Sequence, residues 1–227
     1  MTDSGTVAAH DTRRLRRSFF IAASFAAILW LIKLGEITLD LDLTPHGVYP
    51  RTASGLWGIL WAPLIHSSFS HLVANTLPII ILGTALLYGY PRSARIVIPI
   101  IYFGSGLGVW LFARSAYHIG ASGLTLGMML FVFTIGVLRR HRRAIGLALI
   151  VSFLYGGSIW GILPFDPRIS FEGHFFGALT GLVLAFRYRT KDPPPPEKKY
   201  SWEDEAENDG GLGGNRTADR NTRGHLR

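Results

Sequence analysis

The chain has 227 residues, which suits one or two soluble domains by length alone. Charged residues make up 17% and hydrophobic residues 48%, whereas soluble domains average about 25% charged residues. Too little polar surface remains to cover a soluble globule, so the composition indicates a membrane protein. The formal net charge of +8 would suggest a nucleic-acid partner in a soluble protein. The absence of cysteine excludes disulfides, thiolate metal sites and cysteine nucleophiles.

Residues 1–17 form a basic segment with four arginines between positions 13 and 17. A basic stretch before an apolar span also begins secretory signal peptides, but five further apolar spans follow here. We therefore expect residues 1–17 to stay attached and to lie in the cytoplasm.

The middle of the chain contains six apolar spans, each near the length of about 20 residues that crosses a bilayer as a helix. Several are short, which indicates helices that begin or end inside the bilayer beside a protein-lined cavity. The predicted fold is an all-α polytopic membrane domain of six transmembrane helices over residues 18–189. The approximate limits of the spans are 18–34, 71–89, 94–113, 122–138, 144–160 and 173–188.

The connection between the first two spans, residues 35–70, is long and unusually apolar for an outer loop. It contains Trp57 and Trp61 among several aliphatic residues. Two interpretations stay open: the loop lies partly in the outer membrane interface, or it forms a packed re-entrant cap.

The basic residues between the spans are sorted by side, and cytoplasmic connections are the ones enriched in Lys and Arg. The alternation predicts a multi-pass protein of the plasma membrane with both termini in the cytoplasm. Without a recognisable organelle-targeting sequence, we expect a bacterial source. The +8 charge is then explained by basic residues that set the orientation in the membrane and can contact anionic lipid, and no nucleic-acid partner is expected. One side holds the clusters within 13–17, 92–95, 139–143 and 187–191, and the other holds Arg51, Arg114 and Arg168 with most of the acidic residues.

Residues 190–227 contain four consecutive prolines, an acidic run and a cluster of glycines. Such a composition buries almost nothing and predicts a disordered cytoplasmic tail.

The even-numbered spans all begin at the outer side, and each begins with reactive side chains. His71 and Asn75 are four apart and share one face of the second span. Ser122 opens the fourth span and His174 opens the sixth. The topology therefore predicts these four side chains at one depth in the outer half of the bilayer, where polar groups are costly and mark function.

Glycines recur every four residues on the fourth and sixth spans, a spacing that lets helix backbones approach closely. Because these spans are parallel in the predicted topology, we expect Ser122 and His174 to come within hydrogen-bond reach. Helix packing without catalysis is the alternative explanation. The residues are Gly123 and Gly127, then Gly173, Gly177 and Gly181.

Ser122 with His174 can act as nucleophile and general base, because a hydroxyl attacks well only when a base takes its proton. Free backbone N–H groups at a helix start, together with the Asn75 amide, can stabilise an oxyanion. No acidic residue lies inside the spans to orient His174, so the sequence indicates a dyad. His66 and His71 are five apart and lack the glutamate of a zincin helix, so they do not form a zincin zinc site.

In combination these motifs resemble those of the rhomboid family of intramembrane serine proteases. The resemblance covers roughly residues 18–189 and leaves both tails unmatched. The matching pieces are His66-x4-His71-x3-Asn75, Gly120-Ala121-Ser122-Gly123 and Gly173-His174-x2-Gly177-x3-Gly181.

The resemblance implies that Ser122 is the nucleophile, that His174 is the general base, and that the Ser122 N–H shares oxyanion stabilisation with His71 and Asn75. The implied reaction is hydrolysis of a peptide bond in or near a transmembrane segment of another membrane protein, through an acyl-enzyme and without a metal or cofactor. A helical peptide bond is hidden by its own hydrogen bonds, so easily unwound substrates are expected. The residues that would shape the site are Gly120, Ala121, Gly123, Gly173 and Gly177.

Two positions depart from the family's pattern. Trp57 is followed by Gly58, where many bacterial members have Trp-Arg. Leu126 stands where a tyrosine commonly stacks on the catalytic histidine. Either Phe175 or Trp110 then packs on His174, or that ring is held less firmly.

The Pro-Phe-Asp-Pro segment at 164–167 predicts a flexible outer connection, which with the fifth span would form a gate for substrate and water. A non-catalytic binding or chaperone protein of the same fold stays open as an alternative. A transporter is less favoured, because the polar groups cluster at one depth instead of tracing a path through several spans.

Overall fold

The computed structural model describes residues 4–139, 142–166 and 169–192. The predicted disordered tail falls outside the described residues from 193 onward, as do Pro167 and Arg168 of the predicted outer connection and Arg140 of the basic cluster at 139–143. The described residues are predominantly helical, which confirms the all-α polytopic class. The helices are α1 Ser4–Thr38, α2 Ala53–Trp61, α3 Phe69–Gly89, α4 Pro91–Phe112, α5 Ser122–Arg139, α6 Arg142–Tyr155 and α7 Phe171–Tyr188, with short 3₁₀ helices at Thr44–His46, Ala62–Leu64 and Gly156–Ile162.

The helix starts fall within a few residues of the predicted limits, except in α1, and serine caps two of them. Ser68 caps α3 by accepting a 3.1 Å hydrogen bond from the His71 N–H. Ser170 caps α7 in the same way, from the Gly173 N–H at 3.1 Å. In α1 the basic segment continues the first span as one helix from Ser4, since arginine, leucine and alanine are strong helix formers.

Five of the described helices are long and apolar enough to cross a membrane, namely Ala9–Thr38, Phe69–Gly89, Pro91–Phe112, Ser122–Arg139 and Ala144–Ile162. Helix α7 occupies the predicted sixth span but is not one of these five. Its polar residues Glu172, His174 and Arg187 lower its mean hydropathy. One face of α7 packs against α4 and α5, and the other is apolar and exposed at Phe175, Leu179 and Val183.

Helix α5 is the central element of the bundle and α6 is peripheral: 61% of the apolar window of α5 is buried, against 11% for the span that contains α6. Helices α5 and α7 pack through their glycines, as predicted. Gly177 lies against the Gly123 carbonyl, and a Cβ atom on Gly127 would lie only 2.7 Å from the Gly177 carbonyl oxygen. This backbone contact fixes the first turns of α5 and α7 beside each other.

The loop between α1 and α3 folds into a compact cap that contains α2 and packs against α4. Gly58 lies directly on the Gly47 backbone, and a Cβ atom there would come within 2.7 Å of the Val48 nitrogen. No side chain fits at this position, which accounts for Trp-Gly in place of Trp-Arg. The outer face of α2 is apolar, with Trp57 73% and Trp61 48% exposed. The cap is therefore packed on α4 and presents an apolar outer face, and its position relative to the membrane interface stays a prediction.

Candidate active site

One open cavity of about 860 Å³ is lined by all four side chains that the sequence places at one depth. It lies at the end of the bundle where α3, α5 and α7 begin. The four side chains are His71, Asn75, Ser122 and His174.

Ser122 is the first residue of α5 and follows a tight turn. Gly120 in this turn has φ of +103°, a left-handed conformation that residues with a side chain rarely adopt. The Gly120 N–H donates to the Ala62 carbonyl at 2.8 Å, which ties the turn to the α1–α3 cap. Ala121 is fully buried. The turn thus sets the Ser122 side chain at the edge of the cavity, with α5 starting immediately behind it.

The imidazole of His71 lies directly over this turn. A Cβ atom on Gly120 would lie 2.6 Å from His71 Cε1 and 2.7 Å from Nε2, so only glycine leaves room for the ring. Ser67 Oγ lies 3.2 Å from His71 Nδ1. The His66 ring packs edge-on against the His71 ring at 5.0 Å. His71 is therefore held beside the Ser122 backbone from three directions.

His66 itself is almost fully buried in the loop before α3. Burial, and secondarily the neighbouring His71, lower the pKa of His66 to about 4. His66 is therefore neutral near pH 7 and adds no positive charge beside the His71 ring.

Asn75 is 3% exposed and lines the same cavity one helical turn after His71. Its side-chain N–H group donates to the His71 carbonyl at 2.9 Å. An amide carries two N–H donors, so one remains available for a group inside the cavity.

His174 reaches the cavity from the first turn of α7. Its Nδ1 atom is buried and has no hydrogen-bond partner among the described residues. The Gly161 backbone packs against this side of the ring: a Cβ atom on Gly161 would lie 2.7 Å from His174 Cε1 and still closer to Nδ1. In the described part of the chain, no hydrogen bond joins Ser122 Oγ to His174, and catalytic hydrogen bonds are often long before substrate binds.

Of the two alternatives for His174, the structure shows no aromatic partner from Phe175 or Trp110. Phe175 packs on Phe176 at 5.2 Å, and Trp110 donates its indole N–H to the Thr52 carbonyl at 2.8 Å. Among the residues that the structure describes, no aromatic ring stacks on His174. The Gly161 backbone takes that place.

Sequence reasoning missed a polar cluster that ties the loop before Ser122 to the start of α7. His118 Nδ1 lies 2.7 Å from Ser170 Oγ, and Nε2 lies 3.1 Å from the Arg114 carbonyl. Glu172 approaches from α7, with Oε2 at 3.9 Å from His118 Nδ1 and Oε1 at 3.7 Å from Arg114 Nε. Burial lowers the pKa of His118, and this effect outweighs the nearby Glu172 carboxylate, which raises the pKa. The ring is therefore neutral near pH 7. The only signal in the sequence was proximity: His118 is four residues before Ser122, and Glu172 two before His174.

Within the described ranges, no group of three or more His, Asp or Glu side chains is arranged to hold a metal ion. The cavity offers serine hydroxyls, imidazoles and hydrogen-bond donors, and the Asp166 carboxylate also lines it.

A family model, the Rhomboid domain, matches residues 53–191. An uncharacterized protein of Mycobacterium tuberculosis is 36% identical over 173 residues, which cover 72% of each chain. The putative rhomboid protease YdcA of Bacillus subtilis is 30% identical over 174 residues, 70% of this chain and 82% of the relative. RHOMBOID-like protein 2 of Arabidopsis thaliana is 28% identical over 153 residues, 65% of this chain and 45% of the relative.

Proposed function

The chain belongs to the rhomboid family, and from this premise we propose that it is an intramembrane serine protease. The observation that carries the proposal is the convergence of Ser122 and His174 on one cavity from the first turns of two helices that touch backbone to backbone. A family relationship alone would not suffice, because the fold can also serve non-catalytic proteins.

In the proposed reaction, Ser122 Oγ attacks the carbonyl carbon of a substrate peptide bond while His174 takes the hydroxyl proton. With Nδ1 buried against Gly161, Nε2 is the nitrogen that receives this proton. His174 then gives the proton to the leaving amine, and an acyl-enzyme on Ser122 remains. Water, activated by the same imidazole, hydrolyses the ester and restores the serine.

The oxyanion of each tetrahedral intermediate would be stabilised by three donors: the Ser122 N–H, the His71 ring and the Asn75 amide. The left-handed turn at Gly120 supports this role, since it brings the His71 ring over the backbone that leads into Ser122. Loss of one such donor costs roughly 100- to 1,000-fold in kcat in serine proteases.

The substrates we propose are membrane proteins whose transmembrane segment unwinds near the cavity. A peptide bond inside an intact helix is shielded by its backbone hydrogen bonds, so local unwinding must precede attack. We further propose that both termini face the cytoplasm of a bacterial plasma membrane, because the arginine clusters at 13–17, 92–95 and 187–191 fall on one side.

The decisive experiment is labelling with a fluorophosphonate probe, which forms a covalent bond only with an activated serine. We expect labelling of the wild type and none for Ser122→Ala or His174→Ala. Ser158→Ala is the matched control, since Ser158 lines the same cavity and should keep full labelling.

Labelling that survives Ser122→Ala would refute the assignment of the nucleophile. A folded wild type that neither reacts with the probe nor cleaves any transmembrane substrate would favour the alternative, a non-catalytic binding protein of the same fold.

A further inference from the structure

A second cavity, of about 340 Å³, lies at the other end of the bundle, between α1 and the junction of α3 with α4. This volume falls within the range of roughly 300–1,000 Å³ that small-molecule sites occupy. Four arginines line it: Arg13, Arg14 and Arg17 from α1, and Arg95 from α4.

Arg14 is held in place at the wall of this basic cleft. Its guanidinium donates to the Tyr88 carbonyl at 2.5 Å and lies over the Tyr88 ring at 5.4 Å. Its Nε atom is buried without a hydrogen-bond partner among the described residues. A guanidinium held in this way keeps its positive charge at the wall of the cleft and need not be ordered when an anion binds.

The four arginines that line the cleft give it a positive charge. In the described part of the chain, neither Arg13, Arg17 nor Arg95 has an acidic partner. The nearby Asp11 carboxylate accepts a 2.9 Å hydrogen bond from the Tyr88 hydroxyl. Like charges that face one cleft repel one another, so a bound anion lowers the energy of the whole cluster.

The cleft lies at the depth of lipid headgroups. Arg17 directly precedes the apolar run of α1 that starts at Ser18. At about 1.5 Å of rise per residue, Arg13 lies about 6 Å beyond Arg17, and headgroup layers are about 5–8 Å thick on each side. Ile21 and Leu87 continue the wall of the cleft with apolar surface, which a soluble anion would leave uncovered.

We propose that the basic cleft binds the phosphate of an anionic phospholipid, with the start of its acyl chains against Ile21 and Leu87. Guanidinium groups suit this ligand because they bind phosphate oxygens through paired N–H donors. The site is separate from the proposed active site and does not depend on the proposed protease activity.

The test uses the full chain in detergent and native mass spectrometry to measure lipid dissociation constants. The probes are phosphatidylglycerol and phosphatidylcholine with identical acyl chains, and inorganic phosphate. The cleft variant is Arg13→Gln with Arg17→Gln and Arg95→Gln. The matched control is Arg16→Gln with Arg92→Gln and Arg142→Gln, three exposed arginines that do not line the cleft.

We expect the wild type to bind one phosphatidylglycerol at least about tenfold more tightly than phosphatidylcholine, and the cleft variant to lose about tenfold or more. The control should stay within about twofold of the wild type. If the triple cleft variant does not fold, Arg17→Gln is compared with Arg16→Gln in the same way.

Equal losses in cleft and control variants would reduce the effect to general surface charge and overturn the proposal. Equal affinity for the two lipids would overturn it as well. Displacement of phosphatidylglycerol by inorganic phosphate, with the same dependence on the cleft arginines, would make this a free-phosphate site and refute the lipid assignment.

Discussion

Substituting Gly161 by alanine should strongly lower the activity of the protein while changing its stability only slightly. Gly161 lies in the 3₁₀ helix Gly156–Ile162, and its φ is not in the left-handed region, so alanine can adopt its backbone conformation. The added Cβ atom would lie 2.7 Å from His174 Cε1 and closer still to Nδ1. The His174 ring must therefore move or turn.

The structure sets the size of both effects. Carbon atoms in ordinary contact are about 3.5–4.0 Å apart, so the ring shifts by about 1 Å. A misplacement of this size can cost about 100-fold in rate, or about 2.7 kcal/mol of transition-state stabilisation. The ring is the end of a side chain with two rotatable bonds, so we expect the free energy of unfolding to change by less than about 1 kcal/mol, part of it offset by the lower entropy of the unfolded chain.

The assay compares kcat/KM for a model transmembrane substrate with the thermal unfolding midpoint in the same detergent. Gly157→Ala is the matched control, because it lies in the same 3₁₀ helix and nothing lies within 4 Å of its Cβ position. We expect wild-type activity from Gly157→Ala and about a 100-fold loss from Gly161→Ala. Full activity of Gly161→Ala would refute the reasoning that the Gly161 backbone positions the general base.

Three further predictions concern stability and gating. Asp192 accepts hydrogen bonds from the Arg92 N–H at 2.8 Å, the Ser93 N–H at 2.9 Å and the Ser93 hydroxyl at 2.6 Å. Asp192→Ala leaves these donors unpaired and should lower the free energy of unfolding by about 2–3 kcal/mol. An equal effect of Thr190→Ala, at an exposed position, would contradict this explanation. The pKa of His66 is lowered to about 4 in the folded state, so below about pH 6.5 the unfolded state binds a proton that the folded state does not. Unfolding titrations should therefore show the free energy of unfolding of the wild type falling by about 2 kcal/mol relative to that of His66→Phe between about pH 6.5 and 5. Parallel pH dependences of the two proteins would disprove this prediction. The chain has no cysteine, so cysteines introduced at Ala74 and Ser158, which line the cavity from α3 and from the 3₁₀ helix after α6, can be joined by a reducible crosslinker. If the fifth span and the outer connection form a gate, crosslinking should abolish cleavage and reduction should restore it. Unchanged activity of the crosslinked protein would reject the gate.

Much of the fold was predictable because a membrane simplifies the problem. A helix that crosses the hydrocarbon must be long and apolar, so the spans could be read from composition to within a few residues, apart from the first. The alternation of the spans then placed the starts of α3, α5 and α7 at one end. Four side chains near those starts were expected to meet, and they line one cavity.

The parts that could not be predicted depend on contacts between distant segments. The sequence near α2 shows no pattern that predicts the cap or the contact of Gly58 with Gly47, because both depend on the path of the whole loop between α1 and α3. The same holds for Gly161 against His174, because the sequence left open an aromatic partner or a loosely held ring and gave no sign of a backbone contact. Helix α7 occupies the predicted sixth span, and its polar first turn distinguishes it from the five more apolar helices.

The helix starts also explain why a site made of short side chains can be rigid without an acidic third member. Serine caps α3 at Ser68 and α7 at Ser170, within one turn of His71 and His174. The Ser170 hydroxyl is also 2.7 Å from His118, which belongs to the loop that leads into Ser122. One chain of hydrogen bonds thus connects the loop of the proposed nucleophile to the helix of the proposed base. The two caps bond to backbone N–H groups of their own helices, and the His118–Ser170 contact joins two segments. Together they fix the backbone from which the side chains of the proposed site project, whereas a triad aspartate would orient the imidazole itself.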